Sequence, residues 1–78
     1  MAKVRSIQYG SQSVKPHTTE VDCFVQEVDA PDGSKIVHIS TFGSDERKSK
    51  PKSSQTIQLD RMMALELVAY LQHAFPTR

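Results

Sequence analysis

The chain of 78 residues has no tryptophan, one cysteine, three glycines and no long apolar run. Each shortage closes off a class of protein. The lone Cys23 cannot form an internal disulfide, and with only three scattered histidines it offers no metal-ligand spacing. Disulfide scaffolds, zinc fingers and zinc knuckles are therefore excluded, and no cofactor or metal is expected. A single thiol suits a reducing compartment, and Met1-Ala2-Lys3-Val4-Arg5 lacks the apolar core of a signal peptide. Nothing approaches the ~20 apolar residues that cross a bilayer. These features predict a cytoplasmic protein without a membrane partner. Gly10, Gly33 and Gly43 stand alone, so there is no glycine-rich phosphate loop. Excess charge is missing too. Ten Lys and Arg oppose nine Asp and Glu, which excludes a strongly basic, indiscriminate nucleic-acid binder.

What is present reads as one small domain spanning 1–78. A chain of this size buries only roughly 60–65% of its unfolded surface, so oligomerisation is a natural source of added stability. Alternation over 4–9 predicts a first strand, and polar residues then form a loop up to Thr19. A second strand is expected over 21–28. It has Val21, Cys23 and Val25 on one face and Phe24 and Val28 on the other, a pattern that suits a central position or a covered face. Ala30-Pro31-Asp32-Gly33-Ser34 is a turn signal. Proline presets φ, and Gly33 supplies the positive φ that closes a bulged hairpin onto a return strand over 35–42. The connection 43–54 has almost no apolar content and is expected to be a mobile basic loop. Residues 54–59 alternate as a fourth strand. Asp60 is a candidate N-cap for a helix over 61–74, which stops near Phe75-Pro76. The expected class is α+β: a four-stranded antiparallel sheet followed by one C-terminal helix, ββββα.

The helix is too apolar for one small sheet. Ala64, Leu67, Val68, Leu71 and Phe75 form the expected core stripe. Met63, Tyr70 and Ala74 widen it on one flank, and Met62, Leu65 and Ala69 on the other. The surplus, on the order of 200–400 Å², is the kind of patch that marks an interface. We therefore expect a homodimer using Met62, Leu65 and Ala69, unless the N-terminal loop folds over that flank.

No catalytic constellation is evident. His17, His38 and His73 fall on a loop, a strand and a helix end, with no nucleophile motif near them. A Cys23–His38 pair across the hairpin is the one arrangement worth a test, and Cys23 is more simply read as a small core residue. The protein is not expected to be an enzyme. Its charge is unevenly placed instead. Glu20, Asp22, Glu27, Asp29 and Asp32 make an acidic second quarter, while Arg47, Lys48, Lys50 and Lys52 make an anion-attracting loop. Tyr9, Phe24 and Phe42 are the available stacking platforms, and Phe42 precedes the basic loop directly.

The block Val37-His38-Ile39-Ser40-Thr41-Phe42, the loop with Lys50-Pro51-Lys52, then Thr56-Ile57-Gln58-Leu59-Asp60 and the helix resemble a known family. They are similar to the single-stranded-DNA-binding transcriptional coactivators of the positive-cofactor-four type, including the small bacterial members. That resemblance implies a curved sheet, a homodimer and a groove for single strands. Ser40 stands where the family commonly has arginine, and Thr56 where it has glycine, so one phosphate contact is missing. The helix also lacks the tryptophan that some members carry.

Two functional classes stay open. One is a non-catalytic nucleic-acid-binding protein that prefers single strands, through Arg5, Lys35, Phe42, Arg47, Lys48, Lys50 and Lys52. The other is a small protein-interaction module that grips a protein partner with the helix flank or a sheet edge, as phage- or plasmid-type inhibitors and accessory subunits do.

Overall fold

A computed structural model describes residues 1–43 and 53–76. Its elements are β1 (Ala2–Lys3), β2 (Asp22–Asp29), β3 (Lys35–Phe42), β4 (Ser53–Leu59) and α1 (Arg61–Ala74). The strands form one sheet in the order β1-β4-β3-β2. β2, β3 and β4 run antiparallel, whereas β1 is parallel to β4. The α+β class and the single C-terminal helix match the sequence reading. The sheet, however, is mixed and not wholly antiparallel.

The first strand is the largest correction. Residues 4–9 do not form a strand, and only Ala2 and Lys3 pair, with Ile57 and Gln58. Alternation signals an extended segment, and an extended segment can satisfy its apolar residues without joining a sheet. Here Tyr9 packs edge-on against Tyr70 of α1, with ring centroids 4.6 Å apart. The Tyr70 hydroxyl also makes a long 3.4 Å approach to the Ile7 carbonyl. The N-terminal segment thus runs from the sheet edge onto the helix.

The hairpin between β2 and β3 follows its turn chemistry. Gly33 donates to the Ala30 carbonyl at 2.9 Å, and Ala30 donates to the Ser34 carbonyl at 2.8 Å. Gly33 takes φ +89°, the left-handed conformation that closes a type I turn with a bulge. Asp32 Oδ1 accepts from the Ser34 amide at 2.9 Å and from its hydroxyl at 2.6 Å. The register then runs from Asp29 opposite Lys35 to Asp22 opposite Phe42.

Because paired residues share a face, this register sorts the side chains. Asp22, Phe24, Gln26, Val28, Ile36, His38, Ser40, Phe42, Thr56 and Gln58 lie on one face. Cys23, Val25, Glu27, Lys35, Val37, Ile39, Ile57 and Leu59 lie on the other. Val37 and Leu59 of the second face line a shallow cleft with Ala64 and Leu65 at the start of the helix. Asp60 caps it as expected, accepting from the Met63 amide at 2.9 Å.

The core is small. Leu59 and Met63 are the buried apolar residues among those described. Of the expected core stripe, Ala64 and Leu67 are half-buried, whereas Val68, Leu71 and Phe75 are exposed. Among the described strands the helix contacts β3 and β4, and Tyr70 meets the N-terminal segment, so Met63 is buried while Val68, Leu71 and Phe75 face outward. Cys23 is exposed as well, because β2 is an edge strand and not a central one.

Candidate nucleic-acid interface

Phe42 ends β3 and Phe24 lies diagonally across from it on β2, since Phe24 pairs with Ser40 and Asp22 with Phe42. Diagonal neighbours on one face bring large rings within reach. The two rings meet edge-to-face, with centroids 5.2 Å apart. Phe24 remains 58% exposed, so the pair is open to a planar ligand.

The same face carries Asp22 opposite Phe42, a polar centre, and the apolar pair Val28 and Ile36 near the hairpin turn. His38 pairs with Gln26 on one side and Gln58 on the other, forming a row across β2, β3 and β4. Gln58 Nε2 and His38 Nδ1 lie 3.0 Å apart, within hydrogen-bonding distance. Ser40 and Thr56 form the adjacent row and are both buried. The Thr56 hydroxyl has no hydrogen-bond partner. At the far edge Lys3, opposite Gln58, extends the row onto β1. The assembly is therefore an aromatic pair beside amide, imidazole and hydroxyl groups, with a lysine at its margin.

The expected site residues divide. Phe42 is on this face, and Arg5 is exposed just beyond its β1 edge. Lys35 is not on it. It lies on the opposite face with Val37 and Leu59, and its ammonium contacts Glu27 Oε1 at 2.9 Å. The alternation of a strand separates odd-numbered Lys35 from even-numbered Phe42, a consequence readable once the register is known. Arg47, Lys48, Lys50 and Lys52 lie outside the described residues. Tyr9 is taken up by the helix, against Tyr70 and near His73. Phe24 was expected as an available stacking platform, whereas Gln26, His38 and Gln58 were not among the expected contacts. Their signal was the even-numbered spacing they share with Phe42.

The register also separates Cys23 from His38, which stand on opposite faces of the hairpin. An open cleft of about 740 Å³ beside the helix start is lined by Ser34, Lys35, Asp60, Arg61, Met62 and Leu65. Of these, Asp60 is engaged in capping and Lys35 with Glu27. No cluster of three His, Cys, Asp or Glu suited to a metal ion occurs among the described residues. No described helix is long and apolar enough to cross a membrane.

Met62 and Leu65, expected at a dimer interface, are 67% and 55% exposed, and Ala69 is exposed too. Val68, Leu71 and Phe75 continue the apolar surface along the helix. No protein-family model matches this chain, and neither a curated protein nor a solved structure matches it.

Proposed function

We propose that this protein binds single-stranded nucleic acid without catalysis, on the sheet face that carries Phe24 and Phe42, and that it does so as a homodimer. The observation that carries the reading is the exposed Phe24 ring stacked edge-on against half-buried Phe42, beside Gln26, His38 and Gln58. Unpaired bases need a flat apolar surface to stack on and polar groups at their edges, and a duplex offers neither its base faces nor its pairing edges. Lys3, Arg5 and the basic residues Arg47, Lys48, Lys50 and Lys52 supply positive charge for the phosphates. The resemblance to the coactivator family points the same way. Dimerisation is supported by the helix, whose Leu65, Val68, Leu71 and Phe75 face outward.

The test is an anisotropy titration with a labelled single strand of about 20 nucleotides and its matching duplex, at two salt concentrations. Single-strand preference that weakens with salt is expected. Phe24→Ala and Phe42→Ala should each cost about 1–3 kcal/mol of binding, the worth of one stacked base. Replacing Lys48, Lys50 and Lys52 by alanine should weaken binding for every sequence and flatten the salt dependence. No binding at low salt, or aromatic variants that bind as well as the parent, would remove this function. The protein-interaction reading would then stand, on the strength of the exposed helix surface.

A further inference from the structure

We infer that β2 is a second binding site, an open sheet edge that takes up an extended, basic protein segment as an added strand. Among the described residues, the sheet order leaves β2 paired on one side, and β3 is the one element it contacts. Seven of its eight residues are exposed. An edge of this length presents a row of unpaired amides and carbonyls, the template for strand addition.

The hairpin identifies those groups. Ala30 donates to Ser34, so the even-numbered residues of β2 turn their backbone groups towards β3. Cys23, Val25, Glu27 and Asp29 consequently direct their amides and carbonyls outward. A strand docked there would place its bonding residues beside the side chains of these same four, because directly opposed residues share a face. Val25 is 66% exposed and would meet an apolar side chain.

Charge selects the occupant. β2 carries Asp22, Glu27 and Asp29 and no basic residue, and Glu20 precedes it. A second copy pairing antiparallel through this edge would bring six carboxylates into one two-stranded ladder, and like charges opposite one another destabilise a sheet. Glu27 and Asp29 lie on the face away from Phe24 and Phe42, so the edge repels nucleic acid without closing the aromatic face. An extended segment with Lys or Arg opposite Glu27 and Asp29 satisfies both the backbone and the charges. The site uses the outward backbone of β2 rather than its aromatic ring and is tested without nucleic acid.

The probe is the blocked peptide Lys-Val-Lys-Thr-Val-Phe-Thr-Lys, which in antiparallel register sets lysines against Asp29, Glu27 and Asp22. Titrated into the labelled full-length chain, it should slow amide exchange at Cys23, Val25 and Glu27. N-methylation of its third and fifth residues, which face β2, should abolish binding, while methylation of its fourth and sixth should be tolerated. Glutamate in place of its lysines should weaken binding at least about tenfold. The Glu27→Lys, Asp29→Lys double variant should do the same to the original peptide. Its thermal melt reports whether it remains folded, and the methylated peptides make the test on the unaltered protein. Equal binding by both methylated peptides, protection confined to other residues, or no saturable binding at millimolar peptide would overturn the inference.

Discussion

Asp32 holds the β2–β3 turn through two bonds to Ser34, and the hydroxyl bond, then the amide bond, lowers its carboxyl below the usual carboxylate range. A carboxyl whose folded value is depressed stabilises the fold fully above its unfolded value, near ~3.9. That contribution fades as pH falls through the lower folded value. An NMR titration should therefore show the Ser34 amide resonance following Asp32 at a pH below ~3.9, and Asp32→Asn should remove the transition. Gly33→Ala meets no steric obstacle, since nothing lies within 4 Å, yet it forces an L-residue to φ +89°. It should cost about 1 kcal/mol in urea unfolding. Thr56 acts in the opposite sense. Its buried hydroxyl is unpartnered, so Thr56→Val should stabilise the free protein by about 1 kcal/mol.

The hairpin and the helix were legible because their signals are local. Pro31, Gly33 and Asp32 dictate a turn whatever surrounds them, and the helix begins after a residue whose carboxylate caps it. Asp60→Ala should accordingly lose about 1 kcal/mol of stability, measured by denaturant titration, with α1 fraying from its first turn. The segment 4–9 was misread for the converse reason. Ile7 and Tyr9 have the spacing of a strand, but their partner is Tyr70, more than 60 residues away, and local alternation does not encode a distant partner. Phe24 and Phe42 show the middle case. Each was visible as an aromatic, and only the pairing of Asp22 with Phe42 made them one platform.

The whole chain exposes far more surface than its mass warrants. It presents 7391 Å², against about 4,800 Å² for a self-contained globule of this mass. The exposed segment 8–21 contributes to the excess, as do exposed Leu65, Val68, Leu71 and Phe75 on α1 and Val25 and Ile57 on the sheet. A homodimer through the helix should show a melting temperature that rises with protein concentration and a dimer mass in sedimentation equilibrium. Leu65→Glu with Leu71→Glu should shift that mass towards the monomer and remove the concentration dependence. A monomer for the unaltered chain at micromolar concentration would refute the dimer.

Composition and spacing were enough for the α+β class, the bulged hairpin, the capped helix and an apolar helix surface too broad for its sheet. These depend on backbone preferences and on periods of two or 3.6 residues, which act over a few neighbouring positions. The fold had to decide which edge β1 takes, that β2 lies open, and that Lys35 and Phe42 fall on opposite faces. It also decided which part of the helix stripe is buried. Those outcomes follow from strand order and register, which arise from contacts between residues far apart in the chain, and a one-residue change of register would reverse every face.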